Sequence, residues 1–72
     1  MLTNEEKTLI SYATCDLESG NHLLYKRSKE RLDMLFELIE SLNIHENERS
    51  ERQNEIVDVY YSCLDPNYKP KS

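Results

Sequence analysis

Four of the nine basic residues of this 72-residue chain fall in one run, K-R-S-K-E-R, over 26–31. Lys26, Arg27, Lys29 and Arg31 there could meet phosphate oxygens or an acidic protein surface, because guanidinium and ammonium groups donate charge-assisted hydrogen bonds to both. No glycine and no interleaved aromatic residue accompanies them. The simpler reading is a solvated helix face on which Arg27 and Arg31 cover the edge of an apolar stripe with their methylene stems.

The opposite chemistry is also present. Glu37, Glu40, Glu46, Glu48, Glu51, Glu55 and Asp58 form a series of carboxylates that could imitate rows of phosphates and occupy the basic groove of a DNA-binding protein. Arg49 and Arg52 interrupt that series, and an acidic surface that keeps the chain soluble is the simpler explanation. With 14 acidic against 9 basic residues the net charge is -5, which opposes general affinity for nucleic acid and favours a basic or amphipathic protein partner.

Catalytic and metal chemistry find little to work with. His22 and His45 have no second ligand at a dependable spacing, and Cys15 and Cys63 belong to no C-x-x-C pair. Cys63 has no discernible base partner, so it reads as a small core residue rather than a nucleophile. No catalytic, cofactor or metal residue is therefore expected, and the chain reads as non-enzymatic. Two cysteines are too few for a disulfide framework and suit a reducing compartment. The acidic start M-L-T-N-E-E-K and the lack of a long apolar run lead us to expect a soluble, cytoplasmic protein.

The elements that must position these groups are helical. Thr3 and Glu6 make an S/T-x-x-E capping pattern, so a helix should begin near Asn4, with Leu9, Ile10, Ala13 and Leu17 on one arc of roughly 100° and Tyr12 and Cys15 off it. Ser19-Gly20-Asn21 should end it, since glycine accepts the left-handed cap; the alternative is one unbroken helix to Asn43. A second helix is then expected over 22–42, and on it Leu32, Leu35, Phe36, Leu38, Ile39 and Leu42 span an arc of roughly 160°, with Met34 at its edge. Leu24, Tyr25 and Ser28 fall on the same arc.

Ser50 with Gln53 offers another capping pair, and Glu48 with Arg52 an i,i+4 ion pair, so a third helix should start at Glu48 or Glu51 and reach Leu64. Ile56, Val57, Val59, Tyr60, Tyr61, Cys63 and Leu64 sweep about 200° of it. The same stretch, I-V-D-V-Y-Y-S-C, also has the composition and alternation of a strand, which could pair only with its copy in another subunit. Asp65-Pro66 ends the element, leaving 1–65 as one helical domain and 66–72 as a flexible basic tail.

The expected fold is therefore all-α: a helical hairpin plus a third helix, completed by homodimerisation, because arcs this wide exceed one stripe per helix in so small a chain. Leu38 and Tyr61, near the edges of their arcs, are the foremost expected contacts. Met34, Leu42, Val57, Tyr60 and Leu64 complete that interface, although Tyr60 and Tyr61 would equally suit a monomer core with their hydroxyls at the surface. The function expected is that of a small acidic regulator that binds and modulates or inhibits another protein, a type frequent in bacteria and phages. The alternative is a DNA-associated regulator, acting through its acidic face or by weak DNA contact at 26–31.

Overall fold

The computed structural model describes residues 1–20 and 23–69 and is all-α, with three helices and no strand among the described residues. Helix α1 runs Asn4–Ser19 and α2 Lys29–Asn43, while α3 spans Glu51–Leu64; short 3₁₀ turns at Leu24–Lys26 and Glu46–Glu48 lie in the connections. Each helix packs on the other two.

The capping pattern at the start of α1 is complete: the Glu6 N–H donates to Thr3 Oγ1 at 3.1 Å and the Thr3 N–H to Glu6 Oε1 at 3.0 Å. At its other end Gly20 takes φ 61° and ψ 37°, a left-handed cap whose N–H donates to the Asp16 carbonyl. Its missing Cβ would meet nothing within 4 Å, so the conformation rather than space calls for glycine there. The helix is therefore broken at Gly20. Asn21 and His22 lie outside the described residues.

The second helix starts seven residues later than 22, at Lys29, because Ser28 caps it by accepting from the Arg31 N–H at 3.2 Å while Arg27 is extended. Leu24 and Tyr25 sit in the preceding 3₁₀ turn, so they do not continue the arc of the later leucines. Ser50 and Gln53 form the second capping box, with Ser50 N–H to Gln53 Oε1 at 2.8 Å and Gln53 N–H to Ser50 Oγ at 3.1 Å. The strand reading of 56–63 is set aside: the segment is helical, propagating from that capped start with no strand available to pair with it.

Leu2, Ile10, Ala13, Met34, Leu35, Leu38, Ile56 and Tyr60 form the core, with Leu9, Leu17, Leu24, Ile39, Leu42 and Val59 packed around it. The buried side of α2 differs from the arc its apolar residues suggest. Leu38 lies at the centre of the buried face at 0% exposure, Met34 and Ser41 beside it are also buried, and Phe36 at the other end of the arc is 62% exposed. Ser41 can occupy the interior because its hydroxyl donates to the Glu37 carbonyl at 2.8 Å, which removes its demand for water. Phe36 projects about 140° away from Ser41 on a helical projection and therefore faces outward.

Most of the arc width is used within one chain, since in a three-helix bundle each helix faces two neighbours rather than one. Wide arcs alone therefore do not require a second subunit. What remains at the surface is Phe36 at the far edge of the α2 arc and Tyr61, Cys63 and Leu64 at the end of α3, so Cys63 is not the core residue the sequence suggests. After α3 the chain does not simply run off. The Asp65 carboxylate accepts from the Asn67 N–H at 2.9 Å and its carbonyl from the Tyr68 N–H at 3.0 Å, turning 65–69 back along the helix.

Candidate binding surface

The basic run of 26–31 is largely engaged within the chain. Arg31 donates from Nε and Nη2 to the two oxygens of Asp16, at 3.0 and 3.1 Å, and its guanidinium carbon lies 4.6 Å from the centre of the Tyr12 ring. Arg27 Nε stands 3.5 Å from the same carboxylate. Lys29 pairs with Asp33 one turn along at 3.0 Å, which raises its pKa, and Lys26 lies 5.9 Å from the Tyr25 ring. Arg27 and Arg31 thus anchor α2 and its approach to α1, whereas Lys26 and Lys29 remain at the surface.

Asp16 is the residue that the sequence reading missed. It sits about 20° outside the Leu9–Ile10–Ala13–Leu17 arc on a helical projection, so its burial at 4% exposure could have been suspected, and two arginines fifteen or fewer residues on could have been its partners. Arg52 plays a comparable part at the other end of the bundle. It donates to Glu37 on α2 at 2.6 and 3.2 Å and to Glu6 on α1 at 2.5 Å, joining all three helices. The expected Glu48–Arg52 pair does not form, because Glu48 belongs to the 3₁₀ turn ahead of α3 and is not one helical turn from Arg52.

Of the interface candidates, Met34, Leu38, Val57 and Tyr60 are buried within the monomer and Leu42 is half-buried, whereas Tyr61 and Leu64 are exposed. The two adjacent tyrosines therefore part company. Tyr60 inserts its ring into the core and donates its hydroxyl to Glu18 Oε1 at 2.6 Å. Tyr61 lies outside, 40% exposed, edge-on to Tyr60 at 5.3 Å and tilted against Tyr68 at 5.4 Å between ring centres. Tyr68, brought back by the turn at 65–67, donates its hydroxyl to Asp58 Oδ1 at 2.8 Å.

Together these elements wall a groove of about 660 Å³ between the Glu46–Glu48 turn, α3 and the returning segment. Tyr61 and Tyr68 supply an aromatic side, Val57 and Asn54 line it along α3, and Arg49 stands among the carboxylates of Glu46, Glu51, Glu55 and Asp58, of which Glu55 accepts from the Leu2 N–H at 3.1 Å and lies 4.0 Å from the N-terminal ammonium. Arg49 is held by donating Nε to the Ser41 carbonyl at 2.8 Å. Four of the seven carboxylates of the expected acidic series are thus gathered in one place, while Glu37 is taken by Arg52. The Tyr68 pKa is raised, first by its bond to Asp58, with lesser contributions from Tyr61 and Glu46. Tyr68 was not foreseen as part of any site, since Asp65-Pro66 suggests that the chain departs there.

Among the described residues no group of three or more His, Cys, Asp or Glu is arranged to hold a metal ion. His45 Nδ1 accepts from the Asn47 N–H at 3.3 Å, and the Cys63 thiol lies 3.6 Å from the Ser11 hydroxyl. No helix among the described residues is long and apolar enough to cross a membrane. Compared with family models, with curated proteins and with solved structures, the chain matches none.

The Tyr60–Glu18 bond makes a testable contribution to stability. Glu18 holds the phenol proton and burial opposes ionisation, so the Tyr60 pKa is pushed up from 10.0 to about 12. A raised pKa means stability that is whole below pH 10 and lost as the pH climbs through about 12. Because Glu18 is exposed, we expect a loss of about 1 kcal/mol rather than the full value of a two-unit shift. Urea unfolding followed from neutral pH into this alkaline window should show that slope, and Tyr60→Phe should flatten it.

Proposed function

We propose that the protein is a non-enzymatic regulator that modulates or inhibits another protein by seating its α3 surface on it. The observation that supports this reading is the groove beside α3, where two tyrosines and four carboxylates meet in about 660 Å³. Tyrosine brings large contact area at small entropic cost and is enriched where proteins bind one another. Direct DNA contact through 26–31 draws no comparable support, since Arg27, Arg31 and Lys29 are engaged with Asp16 and Asp33.

A homodimer is a second reading, favoured only by the exposed edge of Phe36, Tyr61 and Leu64. Sedimentation equilibrium over a wide concentration range would detect it.

The binding reading is tested by immobilising the protein, identifying a partner from host extract and rebinding it in purified form. Tyr61→Glu should weaken that rebinding by about 2 kcal/mol, the scale of an interface hot spot, whereas Phe36→Ser should leave it unchanged. A purified partner held equally by both variants, or no stoichiometric partner at all, would remove the reading.

A further inference from the structure

We propose that the returning segment 65–69 is a displaceable strap: its Tyr68 covers the α3 surface in the free protein, and a partner seats there only as the strap swings off. The proposal rests on the binding reading above and adds how the chain restrains that same surface. The strap has a built hinge. At Asp65 the carboxylate accepts from the Asn67 N–H at 2.9 Å and the carbonyl from the Tyr68 N–H at 3.0 Å, while Pro66 has no N–H with which to continue α3. These bonds lie within the segment, so displacement from α3 leaves them intact.

Its hold on α3 is light. The Tyr68 hydroxyl donates to Asp58 Oδ1 at 2.8 Å and its ring lies tilted against Tyr61 at 5.4 Å, but Asp65, Pro66, Asn67 and Lys69 are exposed and Tyr68 itself is only half-buried, outside the core cluster. Tyr60 marks the contrast, since its hydroxyl also meets a carboxylate while its ring is part of the core. One surface hydrogen bond with one ring contact favours a closed form by roughly tenfold, which leaves about a tenth of the molecules open. What the strap closes is apolar: Val57 is 3% exposed although it lies outside the core cluster, and it lines the groove that Tyr61 and Tyr68 wall. Withdrawing Tyr68 offers Val57 and one face of Tyr61 to a partner and lets water replace the phenol at Asp58. A surface open in about a tenth of the molecules binds about tenfold more weakly than one held open, and that factor is the restraint.

The experiment uses the full chain, and its probe is the strap itself: the end-capped peptide D-P-N-Y-K, which copies 65–69, titrated into isotope-labelled protein and followed by NMR at the Tyr61 and Asp58 amides. Tyr68→Ala, whose own strap has lost its hold, should bind the peptide about tenfold more tightly than the wild type, in which the tethered copy competes. The same peptide with alanine in place of tyrosine should not bind, and adding Tyr61→Ala to Tyr68→Ala should abolish binding. Tyr25→Ala, at a tyrosine 73% exposed and outside the lining of the groove, should behave as the wild type does. A purified partner should likewise bind Tyr68→Ala about tenfold more tightly than the wild type, and the peptide should compete with it.

Equal peptide binding by the wild type and Tyr68→Ala would overturn the proposal, because nothing is then displaced, as would no binding by either. If a purified partner depends on Tyr61 yet binds Tyr68→Ala more weakly than the wild type, Tyr68 belongs to the contact itself; the strap falls and the binding reading stands. Partner affinity that Tyr68→Ala leaves unchanged overturns the strap in the same way. If the peptide behaves as described while no protein partner depends on Tyr61, displacement of the strap holds and the wider reading falls.

Discussion

Replacing Asp16 with alanine is expected to remove about 2–3 kcal/mol of stability, more than loss of one ordinary hydrogen bond. The carboxylate is 4% exposed and accepts from Arg31 at 3.0 and 3.1 Å while Arg27 stands 3.5 Å away. Deleting it leaves two guanidinium groups facing each other beside α1 without their counter-charge. Breaking a fully buried pair costs about 3–5 kcal/mol, and the figure is reduced here because each arginine side chain keeps about a quarter of its surface in water. A chain of 72 residues has about 4–11 kcal/mol to lose. Chemical denaturation should show a clearly lowered midpoint, with Asp16→Asn intermediate because it keeps one acceptor oxygen. Combining Asp16→Ala with Arg31→Ala should cost less than the two single losses added, since the pair acts as a unit. An unchanged midpoint for Asp16→Ala would show that the anchor contributes nothing.

Leu38→Ala is expected to cost about 3 kcal/mol, within the range for deleting a fully buried leucine. Leu38 is 0% exposed at the centre of the core, with Met34, Leu35 and Ile56 in the same cluster, so truncation leaves a cavity that rigid helices close only in part. Phe36→Ala, two residues away, should change stability by less than about 0.5 kcal/mol because Phe36 is 62% exposed. Thermal unfolding followed by circular dichroism at two protein concentrations checks the assignment of Leu38 to the monomer core. A core residue gives a lowered midpoint that does not move with concentration, whereas a subunit contact gives one that rises with it.

The sequence by itself determined how α1 and α3 begin and that a break follows α1, because those signals are local. Thr3 with Glu6, and Ser50 with Gln53, each place a side-chain acceptor three residues before a backbone donor, and Gly20 supplies the one left-handed conformation needed after α1. The all-α class followed from the same signals, whereas the sequence left 56–63 open between helix and intersubunit strand, and the structure shows it helical. The start of α2 was misplaced because periodicity continued backwards through Leu24 and Tyr25, and only the Ser28 cap and the extended Arg27 show that the chain is turning there.

Tertiary structure alone decided which part of each apolar arc is inside. A helical projection weighs hydrophobicity, but the side of α2 that faces its two neighbours is centred on Leu38 and takes in Ser41, whose hydroxyl is satisfied by the Glu37 carbonyl, and so leaves Phe36 outside. It also decided the partners of the charges. Ion pairs such as Arg31 with Asp16 and Arg52 with Glu6 and Glu37 join different helices, so spacing along one helix could not reveal them, and the i,i+4 rule proposed Glu48 for Arg52 instead. The groove has a mixed origin: Glu51, Glu55 and Asp58 share one face of α3 by helical spacing, but bringing Tyr68 beside them required the chain to reverse at Asp65, where the turn and the Tyr68 hydroxyl on Asp58 hold it.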